Sequence, residues 1–266
     1  MTNKEINDYF QDQEQKAELK HYLLNERKIN YVDIGADTAQ MVVFVHGAPG
    51  SLSAFIHFMK DQELLNNSRI ISVDRPGYGF SDFGDPEVSL KEQSMLLKPI
   101  LLSSKSSKPP ILVGHSLGGP IVARMAMDYP ELVGGLILVA PSIDPDLEKR
   151  EWYRYIGRIP PISWFVPTSL YVTNEEIFFL KKELQDMLPL WKDIQIPVTV
   201  IQGEEDELVP AANADFAEKV LINAPLKVMR IPNQNHFIPW NNSIKIKEAV
   251  ANHLNISQQD AHTTSQ

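Results

Sequence analysis

One serine stands between two glycines where an apolar run ends. The stretch ILVGHSLGGP covers residues 111–120 and places Gly114 and Gly118 two positions before and after Ser116. A sharp turn from a strand into a helix strains its central residue and leaves no room for a side chain two positions away. The spacing therefore predicts a turn that exposes the Ser116 hydroxyl at the carboxyl end of a strand. The amide of Leu117 would then point outward at a helix start, where backbone amides lack partners.

The turn lies within a regular alternation of apolar runs and stretches with helical spacing. An edge strand is predicted at 28–35, a continuous apolar run predicts a strand buried on both faces at 41–47, and shorter buried strands are predicted at 69–77 and 134–141. Further strands are predicted at 110–114, 196–203 and 226–232. Helices are predicted at 89–104, 117–129, 211–221 and 243–254. Strands that alternate with helices indicate the α/β class, with a mostly parallel, doubly wound sheet.

The alternation stops after Pro141 and resumes near residue 196. The residues between are rich in aromatic side chains, arginine and proline, and they contain no clear buried strand. We therefore expect one α/β core interrupted by a helical insertion. The expected boundaries are 1–141 and 192–266 for the core, with a polar lead-in at 1–18 and a polar tail at 256–266, and 142–191 for the insertion.

The composition excludes several classes of function. The 266 residues include no cysteine, which rules out disulfides, thiolate catalysis and cysteine-bound zinc. The formal net charge of −9 argues against a large nucleic-acid or anionic-membrane surface. No window approaches the roughly 18 apolar residues of a transmembrane segment. The polar amino terminus lacks the apolar part of a secretory signal, so we expect a cytoplasmic location, although a secreted chain with its signal removed would look the same.

Further stretches of the chain carry a resemblance to a known family. They are, in chain order, HGAPGS at 46–51, DRPGYGFSD at 74–82, GHSLGG at 114–119, and GEEDELVP at 203–210 with NQNHF at 233–237. Together they resemble the α/β-hydrolase fold family, from about residue 28 to about residue 254. The resemblance implies a serine nucleophile in the glycine turn and an inserted helical cap that roofs the cleft above it.

The resemblance also implies a catalytic triad. A serine hydroxyl needs a base within hydrogen-bond reach, and the base needs a partner that fixes its tautomer. His236 follows the last predicted strand, where the family keeps its base, and Asp206 follows the strand before it, where the family keeps its acid. Asp144, just past the strand at 134–141, is the alternative acid, because some family members place it there.

Two backbone amides are the expected donors to the oxyanion that forms when the serine attacks a carbonyl. One is the amide of Leu117, and the resemblance implies that the other is the amide of Ala48. Nearby ionisable residues are expected to support the fold. His46 is interpreted as structural, and so is His115, which should point away from the cleft. Asp74 and Arg75 are interpreted as ion-pair residues of the scaffold.

The insertion is the expected source of substrate specificity. Its aromatic residues would line an apolar acyl or alcohol pocket beneath the cap, and the alternative is that they pack the cap onto the core. The residues expected to contact substrate are Trp152, Trp164, Phe165 and Phe178. Arg150, Arg154 and Arg158 recur every four residues and would share one helical face, either solvated or facing an acidic substrate group.

The leading functional hypothesis is a serine hydrolase that cleaves a small to medium carboxylic ester, or a lactone, without a cofactor or a metal. Its expected partner is a small, apolar ester, and the oligomeric state is left open. Alternatives on the same fold are a C–C bond hydrolase and a prolyl-aminopeptidase-like peptidase. Ala48 weakens the peptidase hypothesis, because those enzymes resemble this loop through HGGPG, and a serine at position 116 argues against epoxide hydrolases, whose turn carries aspartate. A non-catalytic small-molecule receptor is the alternative from another class.

Overall fold

The computed structural model describes residues 1–148 and 165–255, and an eight-stranded sheet forms its centre. The strands are β1 Glu18–Leu24, β2 Arg27–Ile34, β3 Gln40–Val45, β4 Ser68–Val73, β5 Ile111–His115, β6 Gly135–Val139, β7 Val198–Gly203 and β8 Leu226–Ile231. Their order across the sheet is β1-β2-β4-β3-β5-β6-β7-β8. β2 pairs antiparallel with both β1 and β4, whereas all pairs from β4 to β8 are parallel. The expected α/β class with a mostly parallel sheet is confirmed.

Helices cover both faces of this sheet. Within the described residues they are α1 Asn3–Tyr9, α2 Gln62–Asn67, α3 Leu90–Leu102, α4 Gly118–Asp128, α5 Thr168–Met187, α6 Asn213–Val220, α7 Ile238–Asn241 and α8 Ser243–Leu254. Short 3₁₀ segments span Leu52–Lys60, Pro130–Leu132 and Leu188–Asp193. The predicted helices correspond to α3, α4, α6 and α8. None of the helices in the described ranges combines the length and the apolar character needed to cross a membrane.

Alternating side chains of the buried strands build an apolar layer on each face. In β3, Met41, Val43 and Val45 join the layer that packs against α3 and α4. Val42 and Phe44 join the layer that packs against α2, α8 and the 3₁₀ segment after β3. Because both faces are covered, every second position is apolar on each side, and the strand appears in the sequence as a continuous apolar run.

β1 is the strand that the sequence pattern does not predict. It pairs only with β2 and alternates between exposed and half-buried positions, so ELKHYLL contains no continuous apolar run. The two strands are joined at Asn25 and Glu26, whose φ values are 51° and 65°. No glycine marks this turn, although a two-residue hairpin with positive φ usually contains one. No sequence prediction covers the 3₁₀ segment and α2 between β3 and β4, although Ser51 and Asp61 cap them.

From residue 168 onward the predicted insertion is helical, since α5 and a 3₁₀ segment occupy 168–193, whereas 142–148 contain neither helix nor strand. Its entry is bound to the core: the amide of Ser142 donates to the carbonyl of Ser116 at 3.3 Å. The amides of Ile143 and Asp144 both donate to Oδ1 of Asn213 at 2.9 Å. Residues 149–164 are not among those described, and the division into core and cap stays a prediction.

Candidate active site

Ser116 occupies a strained turn between β5 and α4. Its φ is 54°, in the left-handed region that non-glycine residues rarely adopt. A Cβ added to Gly114 would lie 2.4 Å from the carbonyl oxygen of Gly118, and one added to Gly118 would lie 2.3 Å from that of Val45. Both distances are far below van der Waals contact, so the fold requires glycine at the two positions that the spacing singles out.

The turn places Ser116 at the wall of a cavity of about 650 Å³, among the loops that follow the parallel strands. Ligands of open α/β sheets bind at this edge, because the carboxyl ends of parallel strands meet there. The lining residues are His46, Gly47, Ala48, Pro49, Gly50, Ser51, Ser53, Ala54, His115, Ser116, Leu117, Ser142, Glu148, Ile177, Leu180, Leu208, Val209, His236, Phe237 and Trp240.

His236 lines the same cavity and is bound to Asp206. Its Nδ1 lies 2.7 Å from Oδ2 of Asp206, and both residues are buried. Because a carboxylate oxygen only accepts, Nδ1 carries the proton and Nε2 is left as the acceptor of the neutral ring. The other oxygen of Asp206 accepts the amides of Leu208 at 3.0 Å and Val209 at 2.8 Å. The loop backbone therefore fixes the carboxylate, which in turn fixes the imidazole.

Asp144, the alternative acid, makes different contacts. It is partly exposed after β6, and its Oδ1 accepts the amide of Asp146 at 2.9 Å. The carboxylate that the structure brings to His236 is that of Asp206.

Ala48 and Leu117 both line the cavity with Ser116. A Cβ added to Gly47 would lie 2.8 Å from the Cβ of Ser116, so the loop after β3 touches the serine turn. Leu117 precedes the first turn of α4, where amides have no intrahelical acceptor. In the described parts of the chain, neither the Ala48 amide nor the Leu117 amide donates a hydrogen bond. Within the described residues, these two amides of cavity-lining residues therefore have no acceptor.

His46 has the structural role that the sequence analysis expects. Its side chain is fully buried, Nε2 accepts the backbone amide of Arg75 at 3.0 Å, and Nδ1 donates to the carbonyl of Gly47 at 2.6 Å. Burial, and secondarily the charge of Arg75, lowers the pKa of His46 well below its usual value. The ring is therefore neutral and locked between two backbone groups.

His115 departs from its expected orientation. It lines the cavity rather than pointing away, and its ring centroid lies 4.7 Å from that of His236. Its Nε2 donates to the backbone carbonyl of His236 at 3.1 Å. Burial, followed by the nearby His236, lowers the pKa of His115 to about 3, so this ring is neutral. The expectation failed because the glycine spacing predicts where the turn lies but not where the neighbouring side chain points.

Asp74 and Arg75 are both predicted to form ion pairs, and only Arg75 does so in the described residues. Arg75 forms the predicted ion pair, since its Nη1 lies 2.6 Å from Oε1 of Glu176 on α5. In the described residues Asp74 has no cationic partner, and the ion-pair interpretation is wrong for it. Its carboxylate instead accepts the amides of Leu52 at 2.8 Å and Phe80 at 2.9 Å, and it pins two loops to the end of β4.

The predicted substrate-binding aromatics do not form the described lining. Trp152 and Trp164 lie outside the described residues, as do Arg150, Arg154 and Arg158. Phe165 is 84% exposed, and Phe178 packs on Phe179 at a centroid distance of 5.0 Å; neither lines the cavity.

Other apolar residues line the cavity in their place. From α5 these are Ile177 and Leu180, from the loops after β7 and β8 they are Leu208, Val209 and Phe237, and from α7 it is Trp240. The last two stand one and four residues after His236, and that proximity to the predicted base was the signal in the sequence. No group of three or more potential metal ligands occurs in the described parts of the chain.

Comparison with known proteins identifies the family. A family model described as the alpha/beta hydrolase fold matches residues 40–164. The chain is also 32% identical over 248 residues to a Bacillus subtilis protein provisionally named 2-succinyl-6-hydroxy-2,4-cyclohexadiene-1-carboxylate synthase, covering 77% of this chain and 87% of that protein. The chain belongs to the α/β-hydrolase fold family.

Other α/β-hydrolase relatives are matched over shorter stretches. A 2-hydroxy-6-oxononadienedioate/2-hydroxy-6-oxononatrienedioate hydrolase of Paraburkholderia phymatum is 31% identical over 116 residues, which cover 43% of this chain and only 40% of that protein. Similar stretches match a methyl ester esterase and an epoxide hydrolase. The solved structure of MGS-M2, an α/β hydrolase enzyme from a Medee basin deep-sea metagenome library, superposes with a TM-score of 0.70 at 19% identity and covers 91% of this chain and 100% of that one. These relatives support a hydrolytic enzyme, and their substrates differ.

Proposed function

We propose that this α/β hydrolase is a serine hydrolase that cleaves a small to medium carboxylic ester, including lactones, through an acyl-enzyme. The observation that carries the proposal is the shared cavity: Ser116 on its strained turn lines it together with His236, which is bound to Asp206. A serine, a base and an acid that fixes the base are the minimum set for nucleophilic acyl transfer.

In the proposed mechanism, the Oγ of Ser116 attacks the ester carbonyl while Nε2 of His236 takes the hydroxyl proton. Asp206 holds Nδ1–H and stabilises the imidazolium that forms. His236 then protonates the departing alcohol, which leaves an acyl group on Ser116. Water attacks this acyl group with His236 again as base, and the carboxylic acid departs.

The negative charge that develops on the carbonyl oxygen would be stabilised by the amides of Ala48 and Leu117. Such preorganised donors are usually the largest single contribution to acyl-transfer catalysis. Both residues line the cavity beside Ser116, and neither amide is used by another group in the described parts of the chain.

The cavity lining supports an uncharged substrate. Its apolar side chains include Ile177, Leu180, Val209 and Trp240, whereas its described part contains no lysine or arginine and does contain Glu148. Desolvating a carboxylate beside this described lining would be costly, because the described side chains include no lysine or arginine to compensate for its lost hydration. A neutral ester with an apolar acyl or alcohol group suits this chemistry.

A C–C bond hydrolase is the second candidate, favoured by the similarity to the Paraburkholderia phymatum hydrolase. It would use the same three residues, so only substrates separate the two reactions. A described lining with Glu148 and without lysine or arginine predicts that simple aryl esters are turned over with a higher kcat/KM than a 2-hydroxy-6-oxo-dienedioate. A reversed preference would favour the C–C bond hydrolase.

The first test is labelling of the protein by a fluorophosphonate probe, together with turnover of p-nitrophenyl esters from acetate to decanoate. Wild type should be labelled and active, whereas Ser116→Ala should lose labelling and at least about 10⁴-fold in kcat. The chain-length profile then measures the acyl space of the cavity.

Ser142→Ala is the matched control, because Ser142 also lines the cavity but its hydroxyl donates to Glu148. This variant should keep its labelling. Wild type that neither labels nor turns over any ester would contradict the proposal and favour the receptor hypothesis, and labelling that survives in Ser116→Ala would assign the nucleophile elsewhere.

A further inference from the structure

We infer that the buried ion pair between Arg75 and Glu176 positions the Gly47–Ala48 peptide, so that helix α5 of the insertion helps to set the proposed oxyanion hole. The inference rests on the proposed function, because it concerns the groups behind the amide of Ala48. Arg75 and Glu176 would touch no substrate, and they are positioning residues.

The first step is the carbonyl oxygen of Gly47. It accepts hydrogen bonds from Nδ1 of His46 at 2.6 Å and from Nη2 of Arg75 at 3.3 Å, and both donors belong to fully buried side chains. In a planar trans peptide the C=O and the following N–H point in opposite directions. Fixing the oxygen of Gly47 towards the interior therefore directs the N–H of Ala48 to the other side, where Ala48 lines the cavity.

The tautomer of His46 determines which group donates to the Gly47 carbonyl. Since Nε2 of His46 accepts the amide of Arg75, the neutral ring must carry its proton on Nδ1 and must donate to Gly47. The guanidinium of Arg75 places a positive charge next to the same Gly47 oxygen. Charge next to a peptide carbonyl polarises the whole peptide and strengthens its N–H as a donor.

Glu176 holds the side chain of Arg75 in place. Its two terminal nitrogens bind the two oxygens of Glu176 at 2.6 Å and 3.1 Å, and these side chains are 0% and 2% exposed. Tyr78 donates to the same carboxylate at 2.6 Å, and Gln93 donates at 2.9 Å. All four of these hydrogen bonds end on the Glu176 carboxylate, and the guanidinium is planar, so the orientation of the Arg75 side chain is fixed. In this orientation Nη2 also reaches the carbonyl oxygen of Gly47.

Stability alone does not account for this ion pair. Apolar residues of similar volume often replace a buried ion pair at no cost, because the desolvation of two charges offsets their attraction. A directed hydrogen bond to the Gly47 carbonyl is what an apolar pair could not supply. This difference makes the inference testable.

The test is the double variant Arg75→Met/Glu176→Leu in the full chain, which removes both charges together. Tyr78 keeps a hydrogen bond to Thr173 at 3.1 Å, and Gln93 keeps one to the carbonyl of Glu87 at 2.7 Å. We expect a folded protein whose kcat on p-nitrophenyl esters falls about 10- to 100-fold, with KM changed less than about threefold.

Two inhibitors separate oxyanion stabilisation from substrate binding. An alkyl trifluoromethyl ketone, which forms a tetrahedral adduct on the serine, should lose affinity in the same proportion as kcat/KM. A non-hydrolysable ether analogue of the ester should bind as it does to wild type. If the double variant does not fold, Glu176→Gln, which keeps the shape of the side chain, should show the same split with a smaller loss.

Glu183→Ala is the matched control on the same helix. Glu183 accepts the amide of Leu90 at 2.9 Å and so ties α5 to the start of α3, away from Gly47. This variant should keep its kcat and its affinity for the ketone. The inference is overturned if the double variant keeps both, if Glu183→Ala loses as much, or if affinity for the ether analogue falls together with kcat. Absence of Ser116 labelling in wild type would instead overturn the proposed function itself.

Discussion

The three proposed triad residues, Ser116, His236 and Asp206, each take part in at least one hydrogen bond that involves a backbone group. The amide of Ser116 donates to the carbonyl of Val139 on β6 at 2.9 Å, and the carbonyl of His236 accepts from His115. Asp206 is held by two amides of its own loop. Hydrogen bonds to the backbone leave these residues little freedom to shift. A substitution that forces them apart by a few tenths of an ångström should therefore lower kcat.

Gly47→Ala tests this sensitivity. The new Cβ would lie 2.8 Å from the Cβ of Ser116, so the serine or the Ala48 loop must shift. Positioning errors near 1 Å can cost about 10²-fold in rate, and we expect a loss of that size in kcat. Gly134→Ala is the control, because its Cβ would meet the carbonyl of Pro109 at the same 2.8 Å, but at the opposite end of β6. It should lower the melting temperature and keep kcat; equal loss of kcat in both variants would contradict the argument.

At the scale of the element, the turn of the β1–β2 hairpin has a strained backbone at Glu26, which no glycine in the sequence predicts. Glu26 adopts φ 65° in a two-residue turn that favours asparagine followed by glycine, and Asn25 already occupies the first position. Glu26→Gly should therefore raise the free energy of unfolding by about 0.5–1 kcal/mol. Urea denaturation measures this change.

Glu14→Gly is the matched control for the hairpin, because Glu14 is also exposed but is not among the residues with positive φ. Here glycine should destabilise, since it adds conformational freedom to the unfolded chain. The strain argument is wrong if both variants shift the urea midpoint in the same direction.

The same scale shows what the sequence could predict. Continuous apolar runs located the buried strands, because β3 to β7 are covered on both faces. The glycine spacing located the serine turn, because sterics allow nothing else at positions 114 and 118. β1 was missed because no position in it is buried, and the edge strand predicted at 28–35 is β2, which lies inside the sheet between β1 and β4. The cavity-lining role of Ile177 and Leu180 was missed because the period of a helix predicts a shared face, but not what that face meets.

At the scale of the whole molecule, buried histidines make stability depend on pH. Burial lowers the pKa of His115 to about 3 and that of His253 to about 4, and it lowers the pKa of His46 as well. In the unfolded chain these histidines bind protons near pH 6.5, whereas in the folded protein they stay neutral at that pH. The free energy of unfolding therefore falls as pH drops below about 6.5. Each histidine contributes up to about 1.4 kcal/mol per pH unit.

Urea midpoints between pH 7 and 5.5 test this dependence. Burial raises the pKa of Asp74, whose contribution has the opposite sign and belongs to more acidic pH. His253→Asn should make the decline shallower, and it should leave ester turnover unchanged because His253 lies by Gly135 at the amino end of β6. An unchanged slope would show that His253 protonates equally in both states.

The segment predicted as an insertion is bound to the predicted core at both of its described ends. Ser142 is bonded to the backbone of Ser116, and Asn213 holds the two residues that follow. At the other end, α5 is bound through Glu176 and Glu183. These contacts define crossover points for recombination: a chimera that exchanges only 145–167 with a relative would leave the hydrogen bonds of the serine turn and of the Gly47 loop intact.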